Sequence, residues 1–100
     1  MIAVHNNRDY SLKEYFPNHA MQHDAKAVHY QETSNFRNFY FVTNKQDYER
    51  LKRLDFNVAL QSKNAQDDGS LSYYLSKSDY INIEAAYGEL KAQLRMLYHA

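Results

Sequence analysis

Along residues 36–44, FRNFYFVTN, apolar side chains occupy both alternating sets: Phe39 and Phe41 in one, Tyr40 and Val42 in the other. A strand sends successive side chains to opposite faces. The stretch therefore predicts a strand that is apolar on both sides, with either two buried faces or one exposed aromatic platform. Shorter patterns lie around it. Residues 2–5 (IAVH) and 26–31 (KAVHYQ) read as strands, and 56–62 (FNVALQS) alternates Phe56, Val58 and Leu60. Ser11 and Glu14 fit a capping box ahead of a helical face made by Leu12, Tyr15 and Phe16, which Pro17 ends or kinks. Residues 18–25 fit either a loop or one more helical turn. Asn44 suits an N-cap with Asp47 at the third position, so 45–55 predicts a helix with Tyr48, Leu51 and Leu54 or Asp55 on one side.

Two turns punctuate the pattern. Residues 32–35 (ETSN) form one, and 64–70 form a polar turn around Asp68-Gly69, followed by a return strand at 71–75 (LSYYL). The last segment reads as the longest helix. Tyr80, Ile83, Tyr87, Leu90, Leu94 and Leu97 recur at helical spacing, with Gly88 inside the run. Glycine costs roughly 1 kcal/mol relative to alanine in a helix. Either the helix breaks there or something approaches closely.

The elements run β, α, β, β, α, β, β, α. This predicts one α+β domain over residues 1–100, with an antiparallel sheet of about four or five strands and a long C-terminal helix packed on it. The first six elements follow the order of a ferredoxin-like βαββαβ core.

Composition narrows the function classes. The chain carries 12 basic and 12 acidic residues, with ten tyrosines, five phenylalanines and no cysteine. Zero net charge argues against a general nucleic-acid binder. The lack of cysteine excludes disulfides, a thiolate nucleophile and cysteine-based zinc sites. No apolar run approaches the ~20 residues of a membrane span, and the first residues do not fit a signal peptide. A cytoplasmic protein with no membrane partner is the expectation.

Arg37, Phe39, Phe41 and Val42 resemble the RNP1 strand of RNA-recognition motifs, with residues 2–7 where the companion strand would lie. The resemblance implies that Phe39 and Phe41 stack on bases beside Arg37. Asn38, Tyr40, Asn44 and Ala3 depart from that pattern. The alternative reading puts the 80–97 helix over Phe39 and Phe41 and makes them core.

Other constellations carry less. His19 and His23 stand four apart near Asp24 and His29, but without a further ligand pattern they read as surface histidines, and no metal is expected. No cofactor motif occurs. Arg50, Lys52 and Arg53 with Lys45 form a basic helix face interleaved with acids. Arg95 and His99 have the spacing of a minimal phosphate-cleaving pair, which places a toxin-type nuclease among the alternatives. Tyr73 and Tyr74 are adjacent on a predicted strand, so one of them faces outward. Tyrosine is enriched at interfaces. By elimination, the expectation is a non-enzymatic protein-binding module. It fits the class of small phage- or mobile-element-encoded inhibitors of host defence proteins, such as anti-CRISPR proteins. Tyr73, Tyr74, Arg50, Lys52 and Arg53 are its candidate contacts. A homodimer through the 80–97 helix is a further expectation, and a single-stranded nucleic-acid binder is the first alternative.

Overall fold

The computed structural model describes residues 2–62 and 80–100. The turn expected at 64–70 and the return strand at 71–75 lie outside the described residues, as do Tyr73 and Tyr74. The described strands are β1 (Ile2–Asn7), β2 (Ala25–His29), β3 (Phe39–Val42), β4 (Val58–Gln61) and β5 (Ile81–Ala86). Helices α1 (Lys45–Arg53) and α2 (Leu90–His99) accompany them, with short 3-10 turns at Leu12–Tyr15 and Gln22–Asp24. The strands form one sheet in the order β1-β5-β3-β4-β2.

The sheet is mixed, which corrects the antiparallel expectation. β1 pairs with β5, and β3 with β4, in parallel; the β3–β5 and β2–β4 pairs are antiparallel. In a ferredoxin-like sheet another strand separates the helix-linked strands. Here β3 and β4 are direct neighbours joined through α1, an unsplit β-α-β unit, and β5 lies between β1 and β3.

Local chemistry explains α1. The Asn44 side chain accepts hydrogen bonds from the Gln46 and Asp47 backbone N–H groups, satisfying two donors that the helix itself leaves open. At the other end Asp55 takes φ +61°. The Asp55 N–H then reaches the Lys52 carbonyl at 2.9 Å and the Phe56 N–H reaches that of Leu51 at 3.1 Å. These are the two bonds of a Schellman motif, with Leu51 and Phe56 as its hydrophobic contact. The first expected helix is shorter than its pattern. Ser11 caps only a 3-10 turn, and Pro17 follows before a second helical turn can form.

Both faces of β3 are buried. Tyr40 and Val42 join Tyr48, Leu51, Val58, Ile81, Ile83 and Met96 under α1 and α2. Phe39 and Phe41 join Leu12, Tyr15 and Ala59 on the opposite side, under the segment from Tyr10 to Phe36. The two greasy faces are therefore two cores, and the second is covered by 3-10 turns and loops rather than by the C-terminal helix.

The expected helix over 80–97 is also corrected. Residues 81–86 form β5, Gly88 turns the chain at φ +83°, and α2 begins only at Leu90. Nothing lies within 4 Å of the position a Cβ would take on Gly88. The glycine serves its backbone conformation, which other residues rarely adopt, and not a close approach.

Burial raises the pKa of Tyr10 and Tyr40 well above the ordinary 10.0, with Tyr15 adding to the effect at Tyr10. Their phenols are bonded to the Tyr15 hydroxyl and the Met96 carbonyl respectively. Below pH ~10 both folded and unfolded states hold these protons. Above it only the unfolded chain releases them, so stability falls as pH rises. Urea melts from about pH 8 to 12 are expected to be level in this respect up to about pH 10 and to decline beyond. Phenolate absorbance of these two residues should appear only with unfolding. Melts as stable at pH ~12 as at pH ~9 would contradict the burial of these phenols.

Candidate functional site

Among the described residues, Arg50, Arg37, Phe39 and Phe41 do not converge on one site. Arg50 donates from Nη1 to the His99 carbonyl at 2.5 Å and from Nη2 to Asp47 at 3.5 Å. It therefore ties the end of α2 to α1. Lys52 and Arg53 are exposed. Arg37 turns its guanidinium onto Asn7, donating to both the side-chain and the backbone oxygen. Phe39 and Phe41 are buried against Tyr10 and Tyr15: the Tyr15 and Phe41 rings stack at 5.2 Å, and Tyr10 meets Phe39 edge-on at 5.2 Å. They leave no open platform for a base.

A large apolar surface appears instead on α2. Leu90, Leu94, Leu97 and Tyr98 are 63%, 54%, 43% and 85% exposed. Their spacing of i, i+4, i+7 and i+8 places them on one side of a helix. The opposite side carries Ala92, Met96 and Ala100, of which Met96 is buried and Ala100 packs against the same core. Thus α2 has two apolar stripes. The slim one enters the core, where Tyr40 and Phe56 already fill the space; the bulky one faces solvent. Tyr87, just before the helix, is also exposed and lies under the Arg8 guanidinium at 5.1 Å.

Two polar features lie elsewhere on the molecule. A cleft of about 300 Å³ is lined by residues of the 31–38 loop, the end of α1 and α2, among them Asn38, Asp55, Asn57 and Arg95. Arg95 lies over the Phe56 ring at 5.0 Å, and His99 approaches the same ring at 5.4 Å. The structure does bring Arg95 and His99 together, around an aromatic ring. His29 Nε2 lies 2.9 Å from Asp55 Oδ1 at the edge of this region. The cleft is supported by Asn57, which is buried. Its Oδ1 accepts from the Gln31 N–H at 2.8 Å, and its Nδ2 donates to Ser34 Oγ at 2.7 Å and to the Asn38 carbonyl at 3.2 Å. Asn57→Ala strands those loop groups and is expected to lower stability by about 2–4 kcal/mol, measured by urea unfolding. A loss under about 0.5 kcal/mol would mean that the loop does not depend on it.

On the sheet face away from the helices, Glu84 is buried. It accepts from Asn82 Nδ2 at 3.0 Å and from Asn7 Nδ2 at 3.4 Å, and His5 Nδ1 lies 3.2 Å away. Amide donors and one imidazole satisfy this carboxylate, and among the described residues no arginine or lysine is paired to it. Among the described residues no group of three His, Asp or Glu side chains could hold a metal ion. None of the described helices is long and apolar enough to cross a membrane.

Comparison with protein families, with curated proteins and with solved structures finds no match to this chain.

Sequence reasoning found the leucine stripe but turned it inward. It missed Glu84 altogether. The signal was present: INIEAA alternates apolar and polar residues with a period of two, and Ile81 and Ile83 are β-branched.

Proposed function

We propose that this chain is a non-enzymatic protein-binding module that engages another protein through the outer face of α2. One observation carries the reading: the bulky stripe of Leu90, Leu94, Leu97 and Tyr98 is solvent-exposed while α2 is held in place by its other side. Single exposed apolar residues are ordinary, but a contiguous patch marks an interaction site. A rigid helix presenting anchors at i, i+4 and i+7 is a recurrent way to enter a hydrophobic groove, so the partner is a protein with such a groove. Action as a stoichiometric inhibitor of a host protein, of the phage or mobile-element kind, is the biological form in which we place this binding. Arg95, His99 and the His29–Asp55 pair are given no catalytic role.

The test is capture of the partner by the tagged chain from a host extract, identification by mass spectrometry, and reconstitution from purified components. The expected result is a complex of fixed stoichiometry that lowers the partner's own activity. A reconstituted complex indifferent to changes on the outer face of α2 would overturn the reading.

A further inference from the structure

The two edges of the sheet are built differently. β2, at one edge, carries the exposed Lys26 and an irregular register between Ala25 and Ala27. A charge and a bulge are the devices by which proteins keep a sheet edge from pairing with another chain. β1, at the other edge, has neither. It pairs with β5 without a register break over six residues, IAVHNN, and holds no lysine, arginine, carboxylate or proline. Its Ile2 and Val4 are 48% and 36% exposed. They share the helix-covered face with their register partners Ile81 and Ile83.

The direction of the unused backbone groups can be read from one bond. The Asn7 carbonyl accepts from the Tyr87 N–H at 3.0 Å, on the β5 side. Backbone groups alternate along a strand, so Ala3, His5 and Asn7 point towards β5, and Ile2, Val4 and Asn6 present their N–H and C=O groups outward.

We infer that β1 pairs antiparallel with β1 of a second copy, about a two-fold axis at Val4. Only a register that opposes residues of the same face is allowed. Centring on Val4 does this: Val4 opposes Val4, Ile2 opposes Asn6, and Ala3 opposes His5. All three outward-pointing residues then fall in hydrogen-bonded pairs. The two-fold axis is perpendicular to the sheet, so both copies keep their helices on the same side and the sheet runs continuously through the seam. Charge and self-complementarity favour a second copy as the occupant. A strand without lysine, arginine or carboxylate meets its own copy without repulsion between such charges, and β-branched Val4 meets itself across the axis, a favourable cross-strand pair. This inference does not depend on the partner proposed for α2, because it uses the other exposed element and is read as oligomeric state.

The seam is small, so the dimer should appear at the high end of the concentration range. Light scattering coupled to gel filtration, from about 1 to 200 µM, is expected to show a mass rising from monomer towards dimer. Val4→Pro removes an N–H that no described residue accepts and is tolerated at an edge. Val4→Lys adds a like charge pair on the axis. Both are expected to remain monomeric throughout, and Val4→Lys carries the test if circular dichroism shows Val4→Pro to be unfolded. The chain has no cysteine, so Val4→Cys supplies a lone thiol. Hydrogen-bonded antiparallel pairs place Cα atoms ~5.5 Å apart, within disulfide range. Val4→Cys should form a covalent dimer on mild oxidation much faster than Glu32→Cys. A wild-type chain that stays monomeric at the highest concentration overturns the inference. So does a folded Val4→Lys that dimerises like wild type, or equal cross-linking of the two cysteine variants.

Discussion

Replacing Phe39 and Phe41 together by alanine is expected to unfold the protein. Truncating a buried phenylalanine costs about 3–5 kcal/mol, through lost transfer energy and the cavity left behind. Two such losses, about 6–10 kcal/mol, compare with a total stability of about 5–15 kcal/mol for a domain. The site has little means to collapse around the gap. Phe39 is walled by Tyr10 and Tyr15, with ring centroids at 5.2 and 6.2 Å, and Phe41 by Tyr15 at 5.2 Å. The cover over these rings is a 3-10 turn and loops, held by contacts to the rings themselves and by a few bonds such as Leu12 N–H to the Phe36 carbonyl at 2.8 Å. Loss of both rings removes what that cover packs on. Far-UV circular dichroism and urea melts should show the double variant largely unfolded at 25 °C, with Phe41→Ala alone folded but markedly weaker. A double variant with native spectra and a near-normal melting point would mean that the rings are solvated, and would reopen the base-stacking reading.

The same strand shows what was legible in the sequence. Local, strongly patterned elements were readable: the Asn44 cap and the Tyr48–Leu51 face of α1, the alternation of Val58 and Leu60 in β4, and the two apolar faces of β3. The 80–97 segment was not, because two periods coincide in it. Tyr80, Ile83 and Tyr87 satisfy helical spacing, while Ile81, Ile83 and Ala85 satisfy strand alternation. Short apolar runs do not separate these readings; pairing with β1 and β3 does. Insertion of β5 between β1 and β3 joins residues more than 70 positions apart in β1 and β5. No local rule encodes that insertion, and the parallel character of the sheet follows from it and from the direct β3–α1–β4 connection.

The candidate interface was half legible for a related reason. Amphipathicity says that a stripe of leucines will be buried; it does not say by what. On α2 the core receives Met96 and small alanines because Tyr40 and Phe56, meeting edge-on at 5.3 Å, already occupy the space beneath. The leucines were therefore displaced outward by aromatics that lie far from them in sequence. Of the basic residues on α1, Lys52 and Arg53 are exposed, while the Arg50 guanidinium is used within the fold, on the His99 carbonyl; no sequence pattern marks that tertiary bond.

Leu90→Glu combined with Leu94→Lys is expected to abolish partner capture while leaving the fold as stable as before. The pair keeps the net charge at zero and places glutamate four residues ahead of lysine, the orientation that supports a helix by about 0.2–0.5 kcal/mol. Glutamate also suits the first turn of α2. If the two leucines are surface anchors, the melting temperature should stay within about 2 °C of wild type. Affinity for the reconstituted partner should fall at least a hundredfold, since truncating even one interface hot spot costs about 2 kcal/mol or more and charges buried in an apolar groove add to that. The same variant separates the three things that such a stripe can do. A melt lower by ten degrees or more would show that the leucines stabilise the chain itself. An unchanged melt with unchanged capture would remove the α2 face from the binding site. Loss of capture with the dimer seam intact, measured by the same light-scattering series used for Val4, would show that partner binding by α2 and self-association through β1 are separate properties.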